Sequence, residues 1–387
     1  MFKRDIIPEL QALVDTYSVV TITGPRQSGK TTLVRGVYPN REYVNLEAPD
    51  TLEKVVADPR GFLAEHPNGV ILDEIQRFPE LLSYIQTIVD EQPERKGLFI
   101  LTGSYQVKLH EAITQSLAGR TALLKLLPLS ITELQKASLD FSLNEYLYQG
   151  LFPRIYNDKL NPTKAYRNYY QTYIERDVRK IINIKDISLF QKFVKLCVGR
   201  IGQLLNMDSL ANEVGVSSHT IKEWLSVLQV TYIVFLLQPY FENFGKRIIK
   251  SPKLYFCDVG LATYLLDIEN IEQVKRDPLR GNLVENLVIL ELIKQRTNQG
   301  LDPQLYYFRD SRKNEVDVIF KTGYNLIPIE IKAAQTFNRS FLKGLNYFQN
   351  LVADRCSHGF LIYSGEQEQQ LGMFKLLNFK NSAAALS

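Results

Sequence analysis

Through its first hundred residues the chain alternates short apolar runs with segments of helical period. Val19-Val20-Thr21-Ile22-Thr23, Val70-Ile71-Leu72 and Leu98-Phe99-Ile100-Leu101 are continuous rather than alternating, the pattern of strands buried on both faces. Glu42 to Glu47 reads as a shorter strand, Ala48-Pro49-Asp50 breaks it, and a helix follows near Leu52 to Phe62. From Ser142 to about Ile182 the chain is rich in tyrosine, with Tyr146, Tyr148, Tyr156, Tyr166, Tyr169, Tyr170 and Tyr173 at spacings that suit a packed helical bundle better than a base-stacking surface. A short helix from Asp208 ends at Gly215, Ser217-Ser218 supplies an N-cap, and a second helix from His219 to Leu228 places Ile221, Trp224, Leu225 and Leu228 on one face. Tyr232 to Leu237, the basic loop Lys246-Arg247-Ile248-Ile249-Lys250 and Lys253 to Phe256 would form its β-hairpin wing, so this predicts a winged helix, with Lys246, Arg247, Lys250 and Lys253 expected on the surface as candidate phosphate contacts. Beyond Pro278 the pattern predicts a helix over 281–295, strands over 305–308, 315–320 and 325–333, a helix over 340–351 and a strand over 359–363.

The chain of 387 residues is long enough for two or three units with their own cores, and 45 % hydrophobic against 23 % charged residues excludes a disordered or fibrous chain. The longest apolar run, Ile233 to Leu237, is too short to span a bilayer, and no apolar segment follows the charged start, so a cytoplasmic protein without membrane contact is expected. Cys197, Cys257 and Cys356 lack metal or redox spacing and read as core residues. Charge is unevenly spread. Residues 1–150 hold 15 Lys and Arg against 19 Asp and Glu, and the remainder 31 against 23. A basic second half suits a polyanionic partner such as DNA, or simply solvated surface.

The strongest chemical signal is Gly24-Pro25-Arg26-Gln27-Ser28-Gly29-Lys30-Thr31, followed by Thr32: the phosphate-binding spacing G-x-x-x-x-G-K-[ST] between a strand and a helix. Glycines let the backbone curl so that successive N–H groups face one anion, and the helix start adds its positive end. Lys30 is then the β- and γ-phosphate cation and Thr31 a Mg²⁺ ligand. Asp73 and Glu74 close an apolar strand, where such a site needs one acid for Mg²⁺ and a second to polarise water. Thr102, at the end of the next strand, is a candidate to sense the γ-phosphate or position water.

These motifs, with Asp73-Glu74-Ile75-Gln76, Leu101-Thr102-Gly103-Ser104, Leu117-Ala118-Gly119-Arg120 and Leu127-Pro128-Leu129-Ser130, resemble the AAA-type ATPases that carry a C-terminal domain of unknown function. The resemblance continues through Pro252-Lys253-Leu254-Tyr255-Phe256 and Asp258-Val259-Gly260-Leu261. It implies ATP as the nucleotide, a parallel sheet with an extra strand between the phosphate-loop strand and the Asp73 strand, and Arg120 as a finger or γ-phosphate-sensing arginine, acting in cis or in trans.

The order αβββαβ after residue 276 matches the core of restriction-endonuclease-like folds. Glu285 falls on the first helix, Asp317 on the second strand, and Glu330 and Lys332 on one face of the third, a set able to hold Mg²⁺ beside an orienting lysine. A closed salt-bridge network explains the same residues. The expected architecture is α/β: an ATPase domain over 1–141, a helical connector over 142–199, a winged helix over 200–275 and a nuclease-like α/β domain over 276–387. Two functions compete, a Mg²⁺-dependent ATPase coupled to DNA binding or processing, and an ATP-driven protein-interaction switch, homo-oligomeric or with a partner protein, whose nuclease-like part is scaffold.

Overall fold

A computed structural model describes residues 2–104, 112–113, 115–178, 186–241 and 249–386. Helix α1 (Ile7–Thr16) leads into β1 (Val19–Gly24), and α2 (Lys30–Val37) follows the loop after it. The first sheet is completed through β2 (Glu42–Asn45), α3 (Pro49–Ala57), α4 (Pro59–Ala64), β3 (Val70–Asp73), α5 (Leu81–Glu91), β4 (Phe99–Ser104) and β5 (Thr121–Lys125). Its order is β2-β3-β4-β1-β5, and every pairing is parallel. Strand β4 thus lies between β1 and β3, as the resemblance implied. Parallel strands need helical crossovers, so both faces are covered, which explains the continuous apolar runs. Val20, Ile22 and Ile100 pack toward Leu10 and Leu33; Val19, Leu72 and Leu101 pack toward Ile85 and Leu117. The one helix expected over 52–62 is two, because Pro59 has no N–H to continue it and Asp58 caps the restart by accepting from Gly61 N at 2.9 Å.

After α6 (Ile131–Lys136), which Ser130 and Glu133 close with a capping box, come α7 (Leu143–Gln149), α8 (Pro153–Asn157) and α9 (Pro162–Tyr169). Helix α9 runs straight into a π-helix over Tyr170–Val178, a rare form in proteins. Tyr146, Tyr166, Tyr169 and Tyr173 are all buried, so the tyrosine-rich stretch is packing surface, as its spacing predicts. Helices α10 (Ile187–Val198), α11 (Met207–Val214) and α12 (Ser218–Val230) follow. Gly215 makes the α11–α12 turn at φ 93°, Ser217 caps α12, and Trp224 packs on Phe190 and Phe193. Strands β6 (Val234–Leu237) and β7 (Lys253–Phe256) pair antiparallel. Lys246 and Arg247 of the expected basic wing lie outside the described residues. Lys253, expected to face solvent with them, is instead 2 % exposed.

Helices α13 (Val259–Leu265), α14 (Ile271–Arg276) and α15 (Arg280–Thr297) precede β8 (Leu305–Arg309), β9 (Glu315–Thr322), β10 (Asn325–Lys332), α16 (Lys343–Val352), β11 (Gly359–Tyr363), β12 (Gln369–Leu371) and β13 (Phe374–Asn378). Strands β8, β9 and β10 are antiparallel neighbours and β11 joins β10 in parallel, which is the expected αβββαβ order extended by the short β12–β13 ribbon. One continuous core joins the helical middle to this sheet through Tyr146, Phe193, Leu228, Leu287 and Ile329. Asp258 ties α13 to the helices before it: its carboxylate caps α13 through Leu261 N and accepts from Leu151 N at 2.8 Å and Tyr166 OH at 2.5 Å. No described helix is long and apolar enough to cross a membrane.

Candidate nucleotide site

The loop from Gly24 to Thr31 curls because two of its residues adopt left-handed backbone, Gln27 at φ 64° and Gly29 at φ 93°. Arg4, missed in the sequence, fixes it from beneath. Its buried guanidinium donates to Ser28 O at 2.9 Å and Leu127 O at 2.7 Å and pairs with Glu133 at 3.0 Å. Lys30 Nζ rests on the carbonyls of Gly24 (3.1 Å) and Pro25 (2.8 Å). Burial pushes the Lys30 pKa down to about 8, against the pull of Glu74 and Asp73. The buried Ser28 Oγ has no hydrogen-bond partner. A desolvated ammonium on two carbonyls and an orphan hydroxyl in one loop are what a phosphate would satisfy.

Asp73 is held on three sides. Thr31 Oγ1 donates to it at 2.8 Å, Tyr43 OH at 2.6 Å, and Thr102 Oγ1 bonds its other oxygen. Thr31 and Asp73 therefore already share one point, the pair able to hold Mg²⁺. Thr102, expected to sense the γ-phosphate or position water, is fully buried and its hydroxyl is given to Asp73. Tyr43 was not singled out from the sequence; burial and its bond to Asp73 raise its phenol pKa. Glu74 sits in left-handed backbone at φ 59°, which turns its carboxylate away from the strand into the cleft. Gln76 Nε2 and, at 3.5 Å, Ser104 Oγ bond it there.

These groups open on a cleft of about 470 Å³. One wall is Arg26, Gln27, Gly29, Lys30, Thr31 and Thr32 with Glu47 and Glu74. The other comes from the helical middle: Pro153, Arg154 and Asn157 on α8 with Asp158 just after it, Tyr169 at the end of α9, and Thr172 and Tyr173 at the start of the π-helix. Arg26 lies 5.3 Å over the Tyr173 ring, and Arg154 is held by Asp158 at 3.0 Å. No motif in the sequence marks this wall.

Arg120 lies elsewhere. Its neighbour Thr121 pairs with Val19, the first residue of β1, whereas the phosphate loop follows the last. Five residues of strand separate them, roughly 16 Å. Arg120 is held by Asp90 at 2.5 and 2.9 Å and does not line the cleft of its own chain.

The carboxylates of the C-terminal sheet come together in a different way from that expected. Glu285 Oε1 accepts from Lys253 at 2.9 Å and Tyr255 OH at 2.5 Å; Asp317 Oδ2 accepts from Ile331 N at 2.8 Å; Glu330 pairs with Lys332 at 2.5 Å. Burial and the neighbouring Asp317 carboxylate raise the pKa of both Glu285 and Glu330 above the usual carboxylate range. Among the described residues no three His, Cys, Asp or Glu side chains converge as metal ligands. The proposed metal set Glu285, Asp317 and Glu330 is therefore not formed as it stands, because the oxygens are turned to lysine, tyrosine and backbone donors.

A parallel sheet of this order, a phosphate loop and an acid pair at the end of β3 define an AAA-type P-loop ATPase, and the family model described as "AAA domain" matches residues 16–135. Two models described as domains of unknown function match 140–272 and 280–381. The chain belongs to the family of an uncharacterized protein of Mycobacterium tuberculosis, 30 % identical over 86 % of this chain and 74 % of that protein. An uncharacterized protein of Methanocaldococcus jannaschii is 25 % identical over 89 % of this chain and 82 % of its own length. Among solved structures, a Walker-type ATPase of Pyrococcus abyssi covers 69 % of this chain and 96 % of its own at 15 % identity, with a TM-score of 0.47.

Proposed function

We propose that the protein is an ATP hydrolase that works as a conformational switch. The observation that carries this is the two-sided cleft: Lys30, Thr31 and Glu74 stand on the ATPase wall, and Arg154 and Tyr173 belong to the helical middle that shares its core with the C-terminal sheet. The loop N–H groups and Lys30 bind the triphosphate. Mg²⁺ held by Thr31 and Asp73 would neutralise charge on the β- and γ-phosphate oxygens. Glu74, oriented by Gln76 and Ser104, takes the proton of the attacking water. Arg26 exchanges the Tyr173 ring, a contact of about 0.5–1 kcal/mol, for the stronger attraction of a phosphate, so filling the cleft moves the helical wall. Amide hydrogen exchange tests this: ATP bound to Glu74→Gln should alter protection over 153–178, and unchanged exchange there with ATP bound would sink the switch.

Arg120 on this reading serves the site of a neighbouring copy. We read α11–α12 with β6–β7 as a winged helix and the last sheet as restriction-endonuclease-like, both as protein-facing scaffold. The exposed face of α12 carries His219, Lys222, Glu223 and Ser226, which is not a basic face, and Lys253 is spent inside. DNA coupling is the competing reading, and salt-dependent DNA affinity would favour it.

A further inference from the structure

The cleft wall contributed by the helical middle holds a hydrogen-bond donor with nothing to donate to. Tyr169 ends α9 just where the chain passes into the π-helix, and it lines the cleft with Thr172 and Tyr173. Its ring is wedged between Phe152, at 5.0 Å between centroids, and Tyr173, at 5.3 Å, and the residue is 2 % exposed. Among the described residues its hydroxyl has no hydrogen-bond partner. The neighbouring tyrosines are spent: Tyr166 OH donates to Asp258 at 2.5 Å, and Tyr173 OH to Thr231 O at 3.4 Å. Phenylalanine would pack between the same two rings, and a buried hydroxyl without a partner costs stability. Packing therefore gives a reason for the ring and none for the oxygen.

The same deficiency recurs across the cleft, where Ser28 Oγ of the phosphate loop is also buried and unpartnered among the described residues. The two walls meet beside Gly29, where a Cβ would lie 3.9 Å from the Pro153 ring of α8. Arg26 connects them as well: its guanidinium lies over the Tyr173 ring, and its charge acts on both Lys30 and Tyr169. Tyr169 thus stands toward the Arg26 and Lys30 end of the loop, and Lys30 is the group that reaches the β- and γ-phosphates. Burial raises the Tyr169 pKa well above the ordinary phenol range, so the hydroxyl keeps its proton for donation. The oxygen is closed off from solvent, so a ligand reaches it only as the wall adjusts, which is the movement the switch reading requires.

We propose that the Tyr169 hydroxyl is a ligand of the γ-phosphate, donating to it from the helical wall and so letting that wall distinguish ATP from ADP. The inference rests on the reading of the cleft as an ATP site and adds the group through which the helical middle reads the third phosphate. ADP has no oxygen at that place, and with ADP bound the hydroxyl stays without a partner.

The test uses the full chain with Mg²⁺, in wild type, Tyr169→Phe and Tyr166→Phe. Calorimetry gives the affinities for β,γ-imido-ATP and for ADP, and melting is followed without nucleotide. Tyr169→Phe should melt at or above the wild-type temperature, because an unsatisfied buried hydroxyl is removed. It should nevertheless lose about tenfold in affinity for the ATP analogue and less than about twofold for ADP, the loss of one hydrogen bond to a charged group. Tyr166→Phe removes a hydroxyl partnered by Asp258 outside the cleft, so it should melt lower and keep the wild-type ratio of the two affinities. An unchanged ratio in Tyr169→Phe would overturn the inference and leave the ATP reading intact. So would an equal loss for both nucleotides, or the same change of ratio in Tyr166→Phe, which would trace it to a general loosening of the wall. A Tyr169→Phe chain that does not fold would also overturn it, since the oxygen would then be holding the wall together. Wild type that binds neither nucleotide would overturn the ATP reading, and this inference falls with it.

Discussion

Lys30 is the residue on which the phosphate site turns, and its ionisation predicts a pH effect with a definite sign. Burial lowers its pKa in the folded chain to about 8 from 10.5. Between those values the unfolded chain binds more protons, so this group's contribution to stability rises with pH there, as the penalty of the buried ammonium is relieved. ATP needs the charged form. Its affinity should therefore fall as pH rises above about 8, and binding near pH 9 should draw about one proton from the buffer. Calorimetry in two buffers of different ionisation enthalpy measures this; binding without proton uptake at pH 9 would contradict the assignment. Around Lys30, Gly24 to Thr32, Asp73 and Glu74 were legible in the sequence because their spacing carries the chemistry. Arg4, Tyr43 and the exact service of Thr102 were not, since each acts through a partner distant in the chain: Arg4 on Ser28 and Leu127, Tyr43 and Thr102 on Asp73.

Among elements, the meeting of α7, α9 and α13 explains a motif that carried part of the family resemblance. Asp258-Val259-Gly260-Leu261 is a joint: Asp258 caps α13, and Gly260 lets Tyr166 and Gly150 approach so closely that a Cβ would stand 2.5 Å from Tyr166 OH and 2.7 Å from Gly150 Cα. Gly260→Ala should cost about 1–3 kcal/mol of stability by overpacking. Denaturant unfolding checks it, and a cost near zero would mean the joint is slack. Strand and helix positions were readable wherever apolar period was unbroken, which covers β1, β3, β4, α12 and α15. The split of α3 from α4 and the π-helix were not, because one depends on a proline's missing donor and the other continues α9 with no break in the sequence pattern. Lys253 shows the same limit. A lysine in a strand of period two reads as surface, and only the fold brings Glu285 and Glu315 to it.

For the molecule as a whole, the position of Arg120 predicts assembly. On the proposed reading, an arginine some 16 Å along β1 from its own phosphate loop completes another copy's site. If it does, its absence from an isolated site withholds a rate factor of about 10³–10⁵. Turnover per chain should therefore rise with protein concentration in wild type and stay low and concentration-independent in Arg120→Ala. A rate that is independent of concentration and unchanged by the substitution would remove the finger. The α/β class and the parallel ATPase sheet were legible from the chain, but the common core of its last two thirds and the second wall of the cleft were not, since both bring together segments far apart in the sequence.

The central claim is that the cleft between β1, β3 and the helical wall binds and hydrolyses ATP, and side-by-side measurement of ATP affinity and phosphate release in wild type, Lys30→Ala and Glu74→Gln tests it most directly. Lys30→Ala should lose about a hundredfold or more in affinity, the loss of a charge-assisted contact worth ~3 kcal/mol. Glu74→Gln should keep wild-type affinity and release phosphate about 10²–10⁴-fold more slowly. ATP affinity unchanged in Lys30→Ala, or phosphate release unchanged in Glu74→Gln, would contradict the account.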